Sequence, residues 1–121
     1  MRILIFTLLM LLLASCATLK PAPGAFQDAE EAIAAAVAAG AEQHSPVELR
    51  FAREKLAEAR KGMDLKQYDK AIYLVEQSEI NAELAIEKSR AADVRSKVTD
   101  LARAIEIMRE EYQSEFGEAF R

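Results

Sequence analysis

The sequence predicts an all-α fold, a helical hairpin or three-helix bundle continued by a long coiled-coil-like C-terminal helix. Three observations lead there. The chain is rich in Ala, Glu, Lys, Arg and Leu, the strongest helix formers. Apolar residues recur at spacings of three and four in three separate stretches. Between Met63 and Phe116 there is neither Pro nor Gly, so nothing written in that segment stops a helix.

The segment before the helices reads differently. Met1-Arg2 supplies a positive start, Ile3 to Leu13 an apolar middle, and Ala14-Ser15 small residues before Cys16, the order of a cleaved secretory signal. The run is shorter than the roughly 20 apolar residues that span a bilayer. Leu13-Ala14-Ser15-Cys16 resembles the processing site of bacterial lipoproteins. That resemblance implies diacylglycerol transfer to the Cys16 thiol, cleavage after Ser15 and acylation of the new amino group. Several acyl chains hold a membrane firmly where one binds only marginally. Ala17 stands where inner-membrane lipoproteins typically carry Asp, so the resemblance implies the periplasmic face of the outer membrane. Residues 1–15 are thus expected to be a signal peptide, and 16–25, with Pro21, Pro23 and Gly24, a lipidated cysteine and short tether. The helical domain follows over 26–121.

Helix one is expected over about 25–43, with Phe26, Ala29, Ile33, Ala36, Val37 and Gly40 on one face. Ser45-Pro46-Val47-Glu48 marks the next start. Ser45 can accept from the amide three residues on, Glu48 can reach back to the Ser45 amide, and Pro46 takes the first helical position. Helix two then runs over about 46–64 with a stripe of Leu49, Ala52, Leu56, Ala59 and Met63. His44 falls in the connection before it. A second turn in Leu65–Gln67 leads to helix three, read as continuous over about 67–116.

Helix three carries two apolar sets. Tyr68, Ala71, Ile72, Leu74, Val75, Ser78, Ala82, Ala85, Ile86 and Ser89 form a broad arc confined to its first half, wide enough to meet helices one and two. Tyr73, Ile80, Leu84, Ala91, Val94, Val98, Leu101, Ile105, Met108 and Tyr112 form a heptad seam on the other side, interrupted by Gln77 and Glu87. Leu84, Ala91, Val98 and Ile105 take the a positions; Ile80, Val94, Leu101 and Met108 take d. β-Branched residues at a and unbranched-β residues at d in Val98–Met108 favour a parallel pair. Flanking charges are mixed, since Glu83 would face Lys88 of a partner copy and Arg90 would face Arg95. A break near Arg90–Ser96 would let the second half fold back and cover the seam within one molecule, but the segment carries no breaker.

Composition narrows the function. Of 16 basic and 20 acidic side chains, only Arg2 precedes Cys16, so the mature chain is acidic and no nucleic-acid partner is expected. Cys16 is the single cysteine and His44 the single histidine, leaving no nucleophile with a base. Glu76, Glu79, Glu83 and Glu87 lie close along helix three without an accompanying Glu-x-x-His motif, and no Gly-rich phosphate loop is present. The chain is expected to be no enzyme and to need no cofactor or metal. Its partners are the membrane, through the lipid anchor, and either a second copy of itself or another envelope protein. The function that follows is an envelope scaffold or interaction module working through the seam. The alternative is an accessory protein that binds a lipid or hydrophobic ligand in a pocket lined by Phe26, Ile33, Leu56 and Ile72.

Ala39-Gly40-Ala41, Pro46-Val47-Glu48-Leu49, Ala52, Lys55-Leu56, Ala59, Tyr68, Ala71, Glu76-Gln77 and Ala82-Glu83-Leu84-Ala85 resemble the uncharacterised lipoprotein family whose module is called domain of unknown function 4398. The resemblance covers roughly Phe26–Ser89. It implies an envelope lipoprotein, sometimes attached to peptidoglycan-associated modules, and offers no catalytic residues. Where the family commonly has Gly-Asp before the tyrosine, this chain has Lys66-Gln67, which bears on the second turn. The same spacing is similar to a single tetratricopeptide hairpin, a likeness of packing only.

Overall fold

A computed structural model describes residues 20–117, and the signal segment, Cys16 and the first part of the tether lie outside the described residues. Four helices follow in order: α1 (Ala25–Ala38), α2 (Ala41–His44), α3 (Pro46–Asp64) and α4 (Tyr68–Phe116). Among the described residues there is no strand.

The helix expected over 25–43 divides in two. Gly40 adopts a left-handed backbone, φ 81°, and its amide bonds the Val37 carbonyl at 2.9 Å. Without a Cβ it can cap α1 at no steric cost, and the chain resumes as the single turn α2. His44 is therefore the exposed last residue of α2 and not part of a loop.

α3 begins at Pro46, but the reciprocal cap expected of Ser45 and Glu48 does not form. The Ser45 amide already donates to the Ala41 carbonyl at 2.9 Å, and its hydroxyl donates to the Glu48 carboxylate at 3.1 Å. Glu48 is in turn drawn across to α4, where its carboxylate pairs with the Lys88 ammonium. The charge-assisted contact takes the carboxylate that would otherwise have reached back.

α3 and α4 are joined by Leu65, Lys66 and Gln67. The Gln67 amide donates to the Gly62 carbonyl at 2.8 Å and the Lys66 amide to the Met63 carbonyl at 3.0 Å, a Schellman closure of α3. That closure demands a left-handed residue, and Lys66 supplies it with φ 57°. For an L-residue with a side chain this conformation costs about 1–2 kcal/mol. The family resemblance leads one to expect Gly at this position, and the geometry explains why.

The two long helices approach closely because small residues meet. A Cβ placed on Gly62 would stand 3.4 Å from the Ala71 Cβ, and Ala52, Ala59, Ala71, Ala82 and Ala85 are fully buried. Ser78 is also buried, and its hydroxyl donates to the Ala52 carbonyl of α3 at 2.8 Å, so the polar atom is satisfied at the contact. α1 lies on the same half of α4: Ala36 packs with Leu49, Ala82 and Ala85, and Ala29 with Leu56, Leu74 and Val75. Every member of the first-half arc of α4, from Tyr68 to Ser89, is buried or half-buried. The last such residue is Ala92; residues 93–117 are all exposed. α4 runs through this point as one helix of 49 residues, about 70 Å long, with no fold-back.

Two carboxylates respond to this packing in opposite senses. The Lys88 hydrogen bond, chiefly, and the amide of Glu48 itself hold the Glu48 carboxyl below its ordinary value. Burial first, then the charges of Asp28, Glu83 and Glu76, push Glu79 up. A lowered value stabilises the fold above the unfolded-state pKa and the effect is lost as pH falls; a raised value does the reverse.

Three outcomes follow from this architecture. Lys66→Gly should raise the unfolding free energy by about 1 kcal/mol by relieving the left-handed lysine, read as a higher urea midpoint at unchanged slope. Glu79→Gln should stabilise at pH 7 by a few tenths of a kcal/mol, as befits a mostly solvated site, and the gain should vanish below about pH 4, where the wild-type carboxyl is protonated in both states. Glu48→Gln should show the opposite sign in the same pH series of melts.

Candidate interaction surface

Packing of α1 and α3 against one side of α4 decides which of its residues are left over. Tyr73, Ile80 and Leu84 lie within the bundle half of α4 but on the side turned from the core, and they remain exposed. Ala91 is exposed where the bundle ends. Val94, Val98, Leu101, Ile105, Met108 and Tyr112 continue the line on the free arm, with Leu101 64% and Tyr112 62% exposed. The ten seam residues thus share one helix, and none of them is buried by the described residues. A large contiguous apolar stripe of this kind marks an interaction surface.

The stripe is longer than the heptad pattern indicates. Phe116 stacks on Tyr112 with ring centroids 5.0 Å apart and planes tilted by 34°, so an aromatic pair ends the arm. Its signal was the four-residue step from Tyr112, which a straight helix places on the same side. Ile107 is also exposed, but it projects from the far side of the arm and does not join the stripe.

Polar residues of the arm pair along the helix itself. Lys97 meets Asp93 at 2.7 Å, Arg103 meets Asp100 at 3.2 Å and Arg109 meets Glu106 at 3.8 Å. Each such pair supports a helix by only about 0.2–0.5 kcal/mol. Two charges that flank the seam are similarly engaged. Arg90 bonds Glu87 at 2.7 Å, and Lys88 is held by Glu48 of α3. Lys88 is therefore occupied within the chain and is not free for the Glu83 pairing that the sequence suggested.

Other candidate chemistry is placed differently. Among the described residues no group of three or more His, Cys, Asp and Glu side chains is arranged to hold a metal ion. No described helix is long and apolar enough to cross a membrane. Of the residues expected to line a ligand pocket, Leu56 is buried, with Phe26 and Ile33 packed against its cluster. Ile72 is half-buried on α4. An open cleft lies outside that cluster, edged by Phe26, Arg60, Met63 and Asp64.

No curated protein and no solved structure matches the chain. A family model described as a domain of unknown function (DUF4398) matches residues 24–101. The match starts at Gly24, the cap of α1, and ends at Leu101, so it takes in the whole bundle and the first part of the arm. Spanning more than half of the chain and its entire packed core, that match shows that the protein belongs to the DUF4398 family.

Proposed function

We propose that this protein is a non-catalytic scaffold of the envelope, lipid-anchored through Cys16 at the periplasmic face of the outer membrane, that docks a second helix along the exposed seam of α4. The observation that carries the reading is the uncovered stripe from Val94 to Tyr112 on an arm that touches nothing else in the described chain. Burying each large side chain is worth on the order of 1.5–3 kcal/mol, whereas the exposed ion pairs beside it are worth tenths. Apolar contact is what this surface has to offer a partner.

The path of the tether supports a role at a distance from the anchor. Lys20 lies 5.5 Å over the Tyr68 ring, so the chain leading back toward Cys16 leaves the bundle beside the start of α4. The arm leaves from the opposite end. With α4 standing off the surface, its tip would be held roughly 70 Å from its first turn, a reach suited to bridging and unsuited to chemistry at the bilayer.

Anchor and seam are separately testable in cells. Cys16→Ala should abolish incorporation of labelled palmitate and release the protein from membranes; persistence of both would sink the anchor. Trypsin added to isolated membranes should cut slowly at Lys97, Arg103 and Arg109, because a docked helix keeps the arm from the local unfolding that cleavage needs. The double substitution Leu101→Asp/Ile105→Asp should raise the cleavage rate at least tenfold while the α1–α3 region stays resistant. Equal, rapid cleavage of both proteins would remove the docking reading.

A further inference from the structure

The geometry points to a second copy of this chain as the occupant of the seam, lying parallel and in register so that the two α4 helices form a two-stranded coiled coil from Tyr73 to Phe116. This inference rests on the docking reading above and names its partner.

Extent of burial is the first argument. An antiparallel partner centred on the arm covers residues from about Arg90 onward and leaves Tyr73, Ile80 and Leu84 open beside the bundle. A parallel, in-register copy covers those three and the arm together. With roughly 100 Å² exposed on each of nine large seam side chains in two chains, the area reaches the ~1,200–2,000 Å² of a stable interface. An antiparallel copy centred near Val94 would cover the same length, so extent of burial selects a second copy and the layers select its direction.

The identity of the layers is the second. Val98 and Ile105 at a with Leu101 and Met108 at d are the combination that favours two parallel strands. Beside them at the flanking positions stand Ala102 and Ala104, whose small side chains let the partner backbone come close without meeting a charge.

Charge is the third. In register, Arg90 of one chain would face Arg95 of the other, an exposed like-charge pair that costs little in solvent, and Arg90 bonds Glu87 of its own chain at 2.7 Å. The same register sets Glu87 against Glu87 and Glu115 against Glu115 in d layers. The first weakens the pair near the bundle and the second frays its tip, leaving the grip to the layers from Val94 to Tyr112.

Single cysteines introduced into the full chain in its own membrane test this directly, with the parent protein as background for Cys16. Val98→Cys, Leu101→Cys and Ile105→Cys should each give a same-residue disulfide dimer on mild oxidation, and Arg103→Cys, on the outer face, at least tenfold less. Glu87→Leu added to Leu101→Cys should speed dimer formation severalfold, a gain that misfolding would not produce. Equal yields at the outer and seam positions, no dimer at any seam position, or no acceleration by Glu87→Leu would each overturn the parallel pair. Preferred disulfides between co-expressed Leu101→Cys and Ile105→Cys chains would overturn it in favour of an antiparallel one. If trypsin protection of the arm persists without any of these disulfides, the seam docks a different protein and only this inference fails; if protection is missing too, the docking reading fails with it.

Discussion

The close contact between α3 and α4 is the constraint on which the rest of the molecule depends. Gly62 against Ala71, and Ser78 bonded to the Ala52 carbonyl, draw the helix axes together. Interiors are packed to near-crystalline density, so a small-residue interface is stable only when the backbones meet. Once they do, the face of α4 that carries Ala71, Ser78, Ala82 and Ala85 is consumed, and α1 closes over what remains of it. Tyr73, Ile80 and Leu84 are left on the other side. The exposed seam is therefore a consequence of how the bundle is built, since α1 and α3 both lie on the other side of α4.

Length is the second determinant. α3 has 19 residues and α4 has 49, so α4 outruns its neighbours by about half of its own length, the part after Ala92. Packing ends at Ala92 because α3 begins at Pro46 and nothing extends further along the axis. The connection between them must be tight to set this register. Lys66 makes it so at some cost in backbone strain, with the Schellman bonds of Lys66 and Gln67 compensating by satisfying the last carbonyls of α3.

Much of this was legible in the sequence because it rests on periodicity. The stripes of Leu49–Met63 and Tyr68–Ser89 are core because a 3.6-residue period admits no other face, and the seam emerges from the same projection. What escaped depends on competition between local options. Gly40 sits amid alanines that would carry a helix straight through, and only its left-handed backbone, invisible in a one-dimensional pattern, turns it into a cap. Ser45 and Glu48 have the spacing of a reciprocal cap, but Lys88, forty residues away, takes the carboxylate. Phe116 falls outside the a and d positions of the heptad and joins the stripe only because the free arm is a straight helix.

The arm itself presents an energetic imbalance. An isolated helix shorter than about 12–15 residues is marginal in water even with favourable composition, and longer ones gain most of their stability from packing. Among the described residues, 93–117 have no tertiary packing to support them. Their ion pairs, Lys97 with Asp93 and Arg103 with Asp100, add only tenths of a kcal/mol each. Ordering each residue costs roughly 1–2 kcal/mol of backbone entropy, which the intrahelical hydrogen bonds offset narrowly. Under the proposed docking, the further contribution would come from burial of Val98, Leu101, Ile105, Met108 and Tyr112, all exposed in the single chain. Order in the arm and occupation of its seam are thus thermodynamically linked: whatever covers the stripe also stabilises the helix, and a substitution that removes the apolar contact loosens the arm while the bundle, which shares none of those side chains, stays folded.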